Sequence, residues 1–220
     1  MKKIEDWKYW AKREITDARW DWGNKDINKT WIDGYWNSIY HPHRKLIVNA
    51  LKTFSPAPNS LFEIGCNAGP NLARIKIDFP NILLSGMDIN KNAVERASAM
   101  LSKSAIDIGN ISKGLLLIDK SVDIVLGDAV LLYIGPKEIR KVINEIVRVA
   151  RRGVILVEWF DIRSKLGKIK DFHWARNYQK LLEEKGLMVE KIKIPNGSWP
   201  TKSGNWERNG YIFVARFPQV

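Results

Sequence analysis

The residues best suited to binding a polar ligand lie in Leu61–Asn71, which reads Leu-Phe-Glu-Ile-Gly-Cys-Asn-Ala-Gly-Pro-Asn. Ser60–Ile64 is short and apolar and is bounded by Pro58, Asn59 and Gly65, the pattern of a buried strand. Gly65 and Gly69 frame a tight turn. Pro70 suits the first turn of a helix, where a missing N–H costs nothing. Strand, glycine turn and helix in that order aim free backbone N–H groups at a ligand. A second apolar run, Ile82–Met87, ends on Asp88, nineteen residues past Gly69 and close to the ~20 expected for an acid that grips a ribose. Glu63 sits inside the first strand, where an unpaired carboxylate is costly, and a dinucleotide fingerprint asks for no acid there.

Glu63-Ile-Gly65-Cys66-Asn67-Ala-Gly69, followed by Asp88 after the next strand, resembles the first two motifs of class I S-adenosylmethionine-dependent methyltransferases. Asn67 stands where that family has its middle glycine, and Asn is the non-glycine residue most tolerant of left-handed backbone. The resemblance implies S-adenosyl-L-methionine as cofactor, with Glu63, Gly65, Cys66, Asn67, Gly69, Asn71, Asp88 and Ile89 around it. It implies an α/β, Rossmann-like fold: a seven-stranded, mostly parallel sheet of order 3-2-1-4-5-7-6, with helices on both faces. The family usually carries an acid at the position of Asn110, where it takes the adenine N6 hydrogen. Asn110, followed by Ile111, accepts there through its side-chain carbonyl without the charge. The resemblance runs from about Trp36 to Phe217 and is specific in Glu63–Asn71 and Asp88.

The elements that would position these residues follow in order. Asn90 caps a helix running to about Leu101, and Ala105–Ile108 is a short strand ending at Gly109-Asn110. Ser121–Leu126 is the next strand, followed by Gly127-Asp128 and the run to Tyr133. Gly135-Pro136 opens a strong helix with Ile139, Val142, Ile143, Ile146, Val147 and Ala150 inward, which Gly153 ends, with Arg148, Arg151 and Arg152 at its C-terminal end. Val154–Val157 is the fifth strand and leads into Glu158. Ligands of an open parallel sheet sit beyond the carboxyl ends of its strands, which makes Asp128, Tyr133 and Glu158 candidate catalytic residues, Asp128 and Tyr133 also touching the cofactor. Phe160–His173, with Lys165, Lys168 and Lys170, reads as a loop over the site. Trp174–Lys185 reads as a helix, Leu187–Ile194 as a strand, Pro195–Asn209 as a loop and Tyr211–Phe217 as a closing strand.

Ahead of the first strand, Ile4, Trp7, Ala11, Ile15 and Ala18 follow a helical spacing, and Asp21–Gly34 reads as a polar loop. Residues 1–34 are expected to form a helical, aromatic cap that acts as a lid, and residues 35–220 the cofactor-binding domain. Pro42 opens a helix through Phe54. The Trp36–Arg44 stretch resembles the segment that folds over the cofactor in a subset of the family. That resemblance places Trp36 at the cofactor, Arg44 on its carboxylate and His41 or His43 as a base.

Of the ten Trp residues, six lie in the first 36 positions. Aromatic segments around Trp36, Trp159 and Trp199 could converge over one strand edge and enclose a pocket. The net charge of +12 would attract acidic partners, but no run of five basic residues exists, so the basic charge does not form a nucleic-acid tail. No apolar run approaches the ~20 residues of a membrane span, and Met1–Trp10 has no signal-peptide core, so a cytoplasmic location is expected. A single cysteine, Cys66, rules out an intramolecular disulfide and a multi-cysteine zinc site, and no metal is expected. The Asn/Asp-Pro-Pro-aromatic motif of amino-directed nucleic-acid methyltransferases is absent after the fourth strand. These readings favour an O- or N-methyltransferase acting on a small molecule, such as a sugar or acidic metabolite. The alternatives are an RNA methyltransferase and a non-catalytic cofactor-binding protein, with an NAD-dependent oxidoreductase further behind.

Overall fold

Runs of apolar residues with no polar alternation become strands buried on both faces, and three such runs set the middle of the sheet. The computed structural model describes residues 6–16, 30–163, 168–170, 173–199 and 204–218. The chain runs α1 (Asp6–Lys12), α2 (Trp31–Asn37), α3 (Pro42–Lys52), β1 (Ser60–Ile64), α4 (Pro70–Asp78), β2 (Leu83–Asp88), α5 (Lys91–Met100) and β3 (Ala105–Ile108). It continues with β4 (Val122–Asp128), α6 (Ile139–Val149), β5 (Ala150–Trp159), β6 (Lys168–Lys170), β7 (His173–Ala175), α7 (Tyr178–Glu183), β8 (Met188–Lys193), α8 (Asn205–Asn209) and β9 (Gly210–Arg216).

The large sheet has the order β3-β2-β1-β4-β5-β9-β8. Strands β1 to β5 pair in parallel, and β9 runs antiparallel between β5 and β8. With β6 and β7 set aside as a separate hairpin, this is the 3-2-1-4-5-7-6 order expected from the sequence. One apolar layer packs α3 and α4 on the sheet through Ile47, Leu51, Leu72 and Ile75. The other packs α6 and α7 through Val142, Ile143, Ile146 and Leu181. No described helix is long and apolar enough to cross a membrane.

Several local expectations change. Trp31–Asp33, read as loop, opens α2 through a reciprocal cap: Thr30 Oγ1 accepts the Asp33 N–H at 3.2 Å, and Asp33 Oδ2 accepts the Thr30 N–H at 2.9 Å. Helix α2 therefore crosses the boundary suggested at residue 34. The expected N-terminal stripe is helical over Asp6–Lys12, while Ile4 and Ala18 lie outside the described residues, as do Lys165 and most of the Asp21–Gly34 stretch. Part of the loop read over the site pairs as the β6–β7 hairpin, so the following helix begins only at Tyr178. Within Pro195–Asn209, residues 205–209 form α8.

Gly153 does not end a helix. It lies in β5, where the ladder to β9 passes so close that a side chain has no room. Arg151 likewise belongs to β5 and binds the buried Asp123 at 2.6 Å rather than closing a helix. A Cβ on Gly153 would stand 2.3 Å from the Ala215 carbonyl oxygen and 2.8 Å from the Phe54 ring. Gly153→Ala is expected to destabilise the protein by about 1–3 kcal/mol, the usual cost of overpacking. A fall in the urea midpoint at unchanged slope would register it, and an unchanged midpoint would show that β5 and β9 part freely.

Candidate active site

The turn after β1 carries three left-handed residues, Gly65 (φ +65°), Asn67 (φ +51°) and Gly69 (φ +80°). Gly65 is also obligatory for space, since its Cβ would lie 2.5 Å from Val130 Cγ2. Asn67 tolerates its strained position because its Oδ1 accepts the Ala68 N–H at 2.7 Å. Asp88, at the tip of β2, fastens this turn to its own strand. Its carboxylate accepts N–H groups from Asn67 and Asn90, each at 2.8 Å. Burial pushes the Asp88 carboxyl up against the pull of these amides.

Behind the turn lies a buried polar knot. Asn71 Nδ2 donates to Glu63 Oε1 at 2.7 Å and to Asp128 Oδ2 at 2.9 Å, joining the tips of β1 and β4. Arg44 enters from α3 because it continues the stripe Ile47, Val48, Leu51 at the i+3, i+4 and i+7 positions, so the core face carries it inward. Its Nε and Nη2 donate to the backbone oxygen and hydroxyl of Ser38, at 2.9 and 2.7 Å. Nη1 donates to Asn71 Oδ1 and stands 3.5 Å from Asp128 Oδ2. Glu63 Oε2 and Asp128 Oδ1 are buried with no partner among the described residues. Burial raises Glu63 to about 8, although Asn71 favours its charged form. Burial alone would raise Asp128 too, but His43, Arg44 and Asn71 outweigh it and hold the carboxyl below the usual range.

His43 Nε2 lies 3.3 Å from Asp128 Oδ2, and His43 Nδ1 lies 2.7 Å from His41 Nδ1. An ionised carboxylate only accepts, so His43 carries its proton on Nε2 and takes the His41 N–H on Nδ1. Burial lowers both imidazoles, His41 to about 4, which leaves them neutral at pH 7.

A wall of rings drawn from six segments stands beyond β4 and β5. Trp10 meets Tyr133 edge-on at 5.7 Å, Tyr133 meets His173 at 4.9 Å, and His173 meets Trp159 at 5.1 Å. Trp159 meets Trp206 at 5.8 Å, Trp206 stacks on Trp199 at 3.6 Å, and Trp199 lies 4.2 Å from His43. The N-terminal segment is clamped over the cofactor side by Asn90, whose Nδ2 donates to the backbone oxygens of Trp10 at 2.7 Å and Arg13 at 2.8 Å. Arg13 is sunk against Trp31, its guanidinium 4.3 Å from the ring centre.

These groups surround one cavity of about 330 Å³. Arg44, Glu63, Gly65, Cys66, Asn67, Asn71, Asp88, Ile89, Asn110, Ile111, Asp128 and Tyr133 line it, as the sequence suggests. Trp36, His41, Gly69 and Glu158 do not. Trp36 packs with Trp31, Ile32, Ala68 and Ala93, one helical step out of phase with Tyr35, which takes the cavity position. His41 stands behind His43, and Gly69 caps α4. Glu158 accepts three backbone N–H groups, from Val130, Leu131 and Leu132, at 2.9, 2.7 and 3.1 Å, so its carboxylate holds the turn that carries Tyr133. Burial pushes Glu158 up to about 8 against those amides. Asn110 spends its Oδ1 on the Ser112 N–H at 3.0 Å. Trp10, His173, Asn205 and Trp206 also line the cavity, and their spacing in the sequence carries no sign of it.

The donor and acceptor set fits S-adenosylmethionine. Two orphaned carboxylate oxygens suit a ligand with cationic groups, Asp88 past the glycine turn suits a ribose, and apolar Ile89 and Ile111 suit a flat base. Residues 62–157 match the family model described as methyltransferase domain. The Synechocystis PCC 6803 magnesium protoporphyrin IX methyltransferase with bound S-adenosylmethionine is 15% identical, with 98% of each chain covered and a TM-score of 0.65. The methyltransferase in the complex with the Haloferax volcanii Trm112 methyltransferase activator is 17% identical, with 86% of this chain and 95% of that one covered and a TM-score of 0.64. The plantazolicin methyltransferase bound to a pentazolic desmethyl analogue and S-adenosylhomocysteine is 14% identical, with 84% and 89% covered and a TM-score of 0.59. No curated protein matches the chain. Residues 62–157 thus carry the pattern of a methyltransferase domain, on the fold that the S-adenosylmethionine-bound neighbour shares. Among the described residues no group of three His, Cys, Asp or Glu is placed to hold a metal ion.

Two outcomes are expected. Hydrogen bonds to a charged group are worth about 1.5–3 kcal/mol, so Asp88→Asn should weaken S-adenosylhomocysteine by roughly ten- to a hundredfold in calorimetry, with thermal unfolding retained. An unchanged dissociation constant would remove Asp88 from the ribose. For Glu63, the unfolded chain ionises near its ordinary value and the folded chain only at about 8. The folded state therefore holds the extra proton, and stability falls as pH climbs through that window. Urea unfolding of the ligand-free protein should show this decline between about pH 5 and 8, and Glu63→Gln should flatten it.

Proposed function

We propose that this methyltransferase acts on an oxygen or nitrogen of a small molecule and that Asp128 receives the acceptor's proton. S-adenosylmethionine supplies a methyl group already activated on a sulfonium. The chain's part is to hold the acceptor in line and keep water out, and positioning of this kind can contribute roughly 7–11 kcal/mol. Asp128 lines the cavity, with Oδ2 engaged by Asn71, His43 and Arg44 and Oδ1 buried without a partner among the described residues. The acceptor's O–H or N–H gives its proton to Oδ1, and its lone pair takes the methyl carbon while the carbon–sulfur electron pair stays with sulfur. His43 orients Asp128, His41 fixes the tautomer of His43, Glu158 supports the turn below, and Tyr133 walls the acceptor. In this reading Arg44 and Glu63 serve the methionyl end of the cofactor, and the N-terminal segment closes over it as a lid.

The observation that carries the small-molecule reading is the aromatic wall: rings from separate segments touch in sequence and close the acceptor side, where an RNA strand would need an open basic track. Arg44 is the one Lys or Arg lining the cavity among the described residues, and three of its five N–H groups donate to Ser38 and Asn71.

Incubation with methyl-labelled cofactor at about 150 mM salt should label a small-molecule extract and not total RNA, whose phosphate-driven binding is salt-sensitive. Stoichiometric labelling of one RNA position would reverse the assignment. Asp128→Asn should lower the labelling rate by about 10²–10⁴, the usual share of a general base, with the fold retained.

A further inference from the structure

Resting on the methyl-transfer reading above, we infer that the acceptor is a flat aromatic or heteroaromatic molecule that bears no anionic group. It carries one O–H or N–H at its edge and a neighbouring atom that accepts a hydrogen bond.

Charge supplies the first reason. The whole chain is at +12, yet among the described residues the cavity lining holds Asp88 and Asp128, with Glu63 pushed towards its neutral form, and Arg44 is the one Lys or Arg there. Three of the five N–H groups of Arg44 already donate inside the protein, and on the reading above the remainder serve the methionyl end of the cofactor, so none is set aside for an acidic acceptor. An anionic acceptor would have to sit beside Asp128, whose side chain is 7% exposed, in a site where water screens little. The acidic metabolite suggested by overall composition is disfavoured on this ground, because the basic surplus lies on the surface.

Shape supplies the second. The acceptor half is bounded by ring edges and faces in a continuous series from Trp10 to His43. Such a wall gives a flat apolar partner offset-stacked and edge-to-face contacts along its whole outline. A sugar turns hydroxyls outward around its rim, and ring carbons leave most of them unmet.

The unpaired polar atoms supply the third. The indole nitrogens of Trp10 and Trp159 and the Oδ1 of Asp128 are buried with no partner among the described residues, and all three residues line the cavity. Trp159 is 5% exposed. Indole N–H only donates and the carboxylate only accepts, so the ligand that satisfies both presents an acceptor atom to an indole and its own O–H or N–H to Asp128. A heteroaromatic ring with a hydroxyl or amino group beside a ring nitrogen has this pattern.

The test uses the whole protein and two probes that share a ring: a hydroxyquinoline with its hydroxyl beside the ring nitrogen, and a quinoline with a carboxylate at that place. Calorimetry with S-adenosylhomocysteine alone comes first, and failure to bind would defeat the methyltransferase reading regardless of the acceptor. With the cofactor product bound, tryptophan quenching should show the hydroxyquinoline binding at least about tenfold tighter than the carboxylate. Labelled methyl from the cofactor should appear on the hydroxyquinoline. Trp206→Leu should weaken the hydroxyquinoline by about tenfold while leaving S-adenosylhomocysteine unchanged. Equal or tighter binding of the carboxylate, displacement of the hydroxyquinoline by methyl glucoside, or no hydroxyquinoline binding to the cofactor-loaded protein would each overturn the inference.

Discussion

The site depends on one side-chain amide. Asn71 places both hydrogens of Nδ2 on carboxylates from different strands, Glu63 of β1 and Asp128 of β4, and takes Arg44 on its oxygen. Two acids and a guanidinium otherwise have no reason to share a space that water barely reaches, because each ion loses its hydration there. The amide divides them, and the outcome is unequal: Glu63 is pushed towards the neutral form and Asp128 is held charged. Pairs of acids driven apart by their surroundings take different roles.

The second constraint is how the aromatic wall is held up. Glu158 caps the turn that carries Tyr133, and Arg176, buried behind that turn, donates to the backbone oxygens of Leu131 and Ile134. The far end rests on the Trp199–Trp206 stack, bridged to β5 through Trp159. The near end belongs to the N-terminal segment, and the same Asn90 that binds Asp88 through its backbone N–H clamps Trp10 and Arg13 through its side chain. Asn90 therefore ties Asp88 and the backbone of Trp10 and Arg13 into one bonding network.

The architecture and the cofactor half were legible in the sequence because they rest on local chemistry. A glycine turn between an apolar strand and a Pro-led helix has few backbone solutions, and the acid at the end of the next strand falls beside it by parallel register, here Glu63 opposite Gly86 and Ile64 opposite Met87. The apolar periodicity of α6 and the all-apolar core of β4 and β5 announced their burial. Arg44 was suggested only by the family resemblance of Trp36–Arg44, and the inward stripe of α3 is what carries it to the cavity.

Only the tertiary structure decided the aromatic side of the cavity. Tyr35 displaces Trp36 from the cavity because α2 begins at a cap that fixes its phase, and one residue rotates a helix face by about 100°. His43 rather than His41 meets Asp128, and Glu158 turns away to bind three amides, because each is set by partners 26 to 85 residues distant. Trp10, Trp159, Trp199 and Trp206 form one wall although long stretches of chain separate them. Sequence by itself determined the strands of the sheet and a glycine turn, since these follow from neighbours in the chain, and the order of the strands came through the family resemblance those residues carry. The surface that faces the methyl acceptor came from loops brought together by folding, and no local propensity encodes such a meeting.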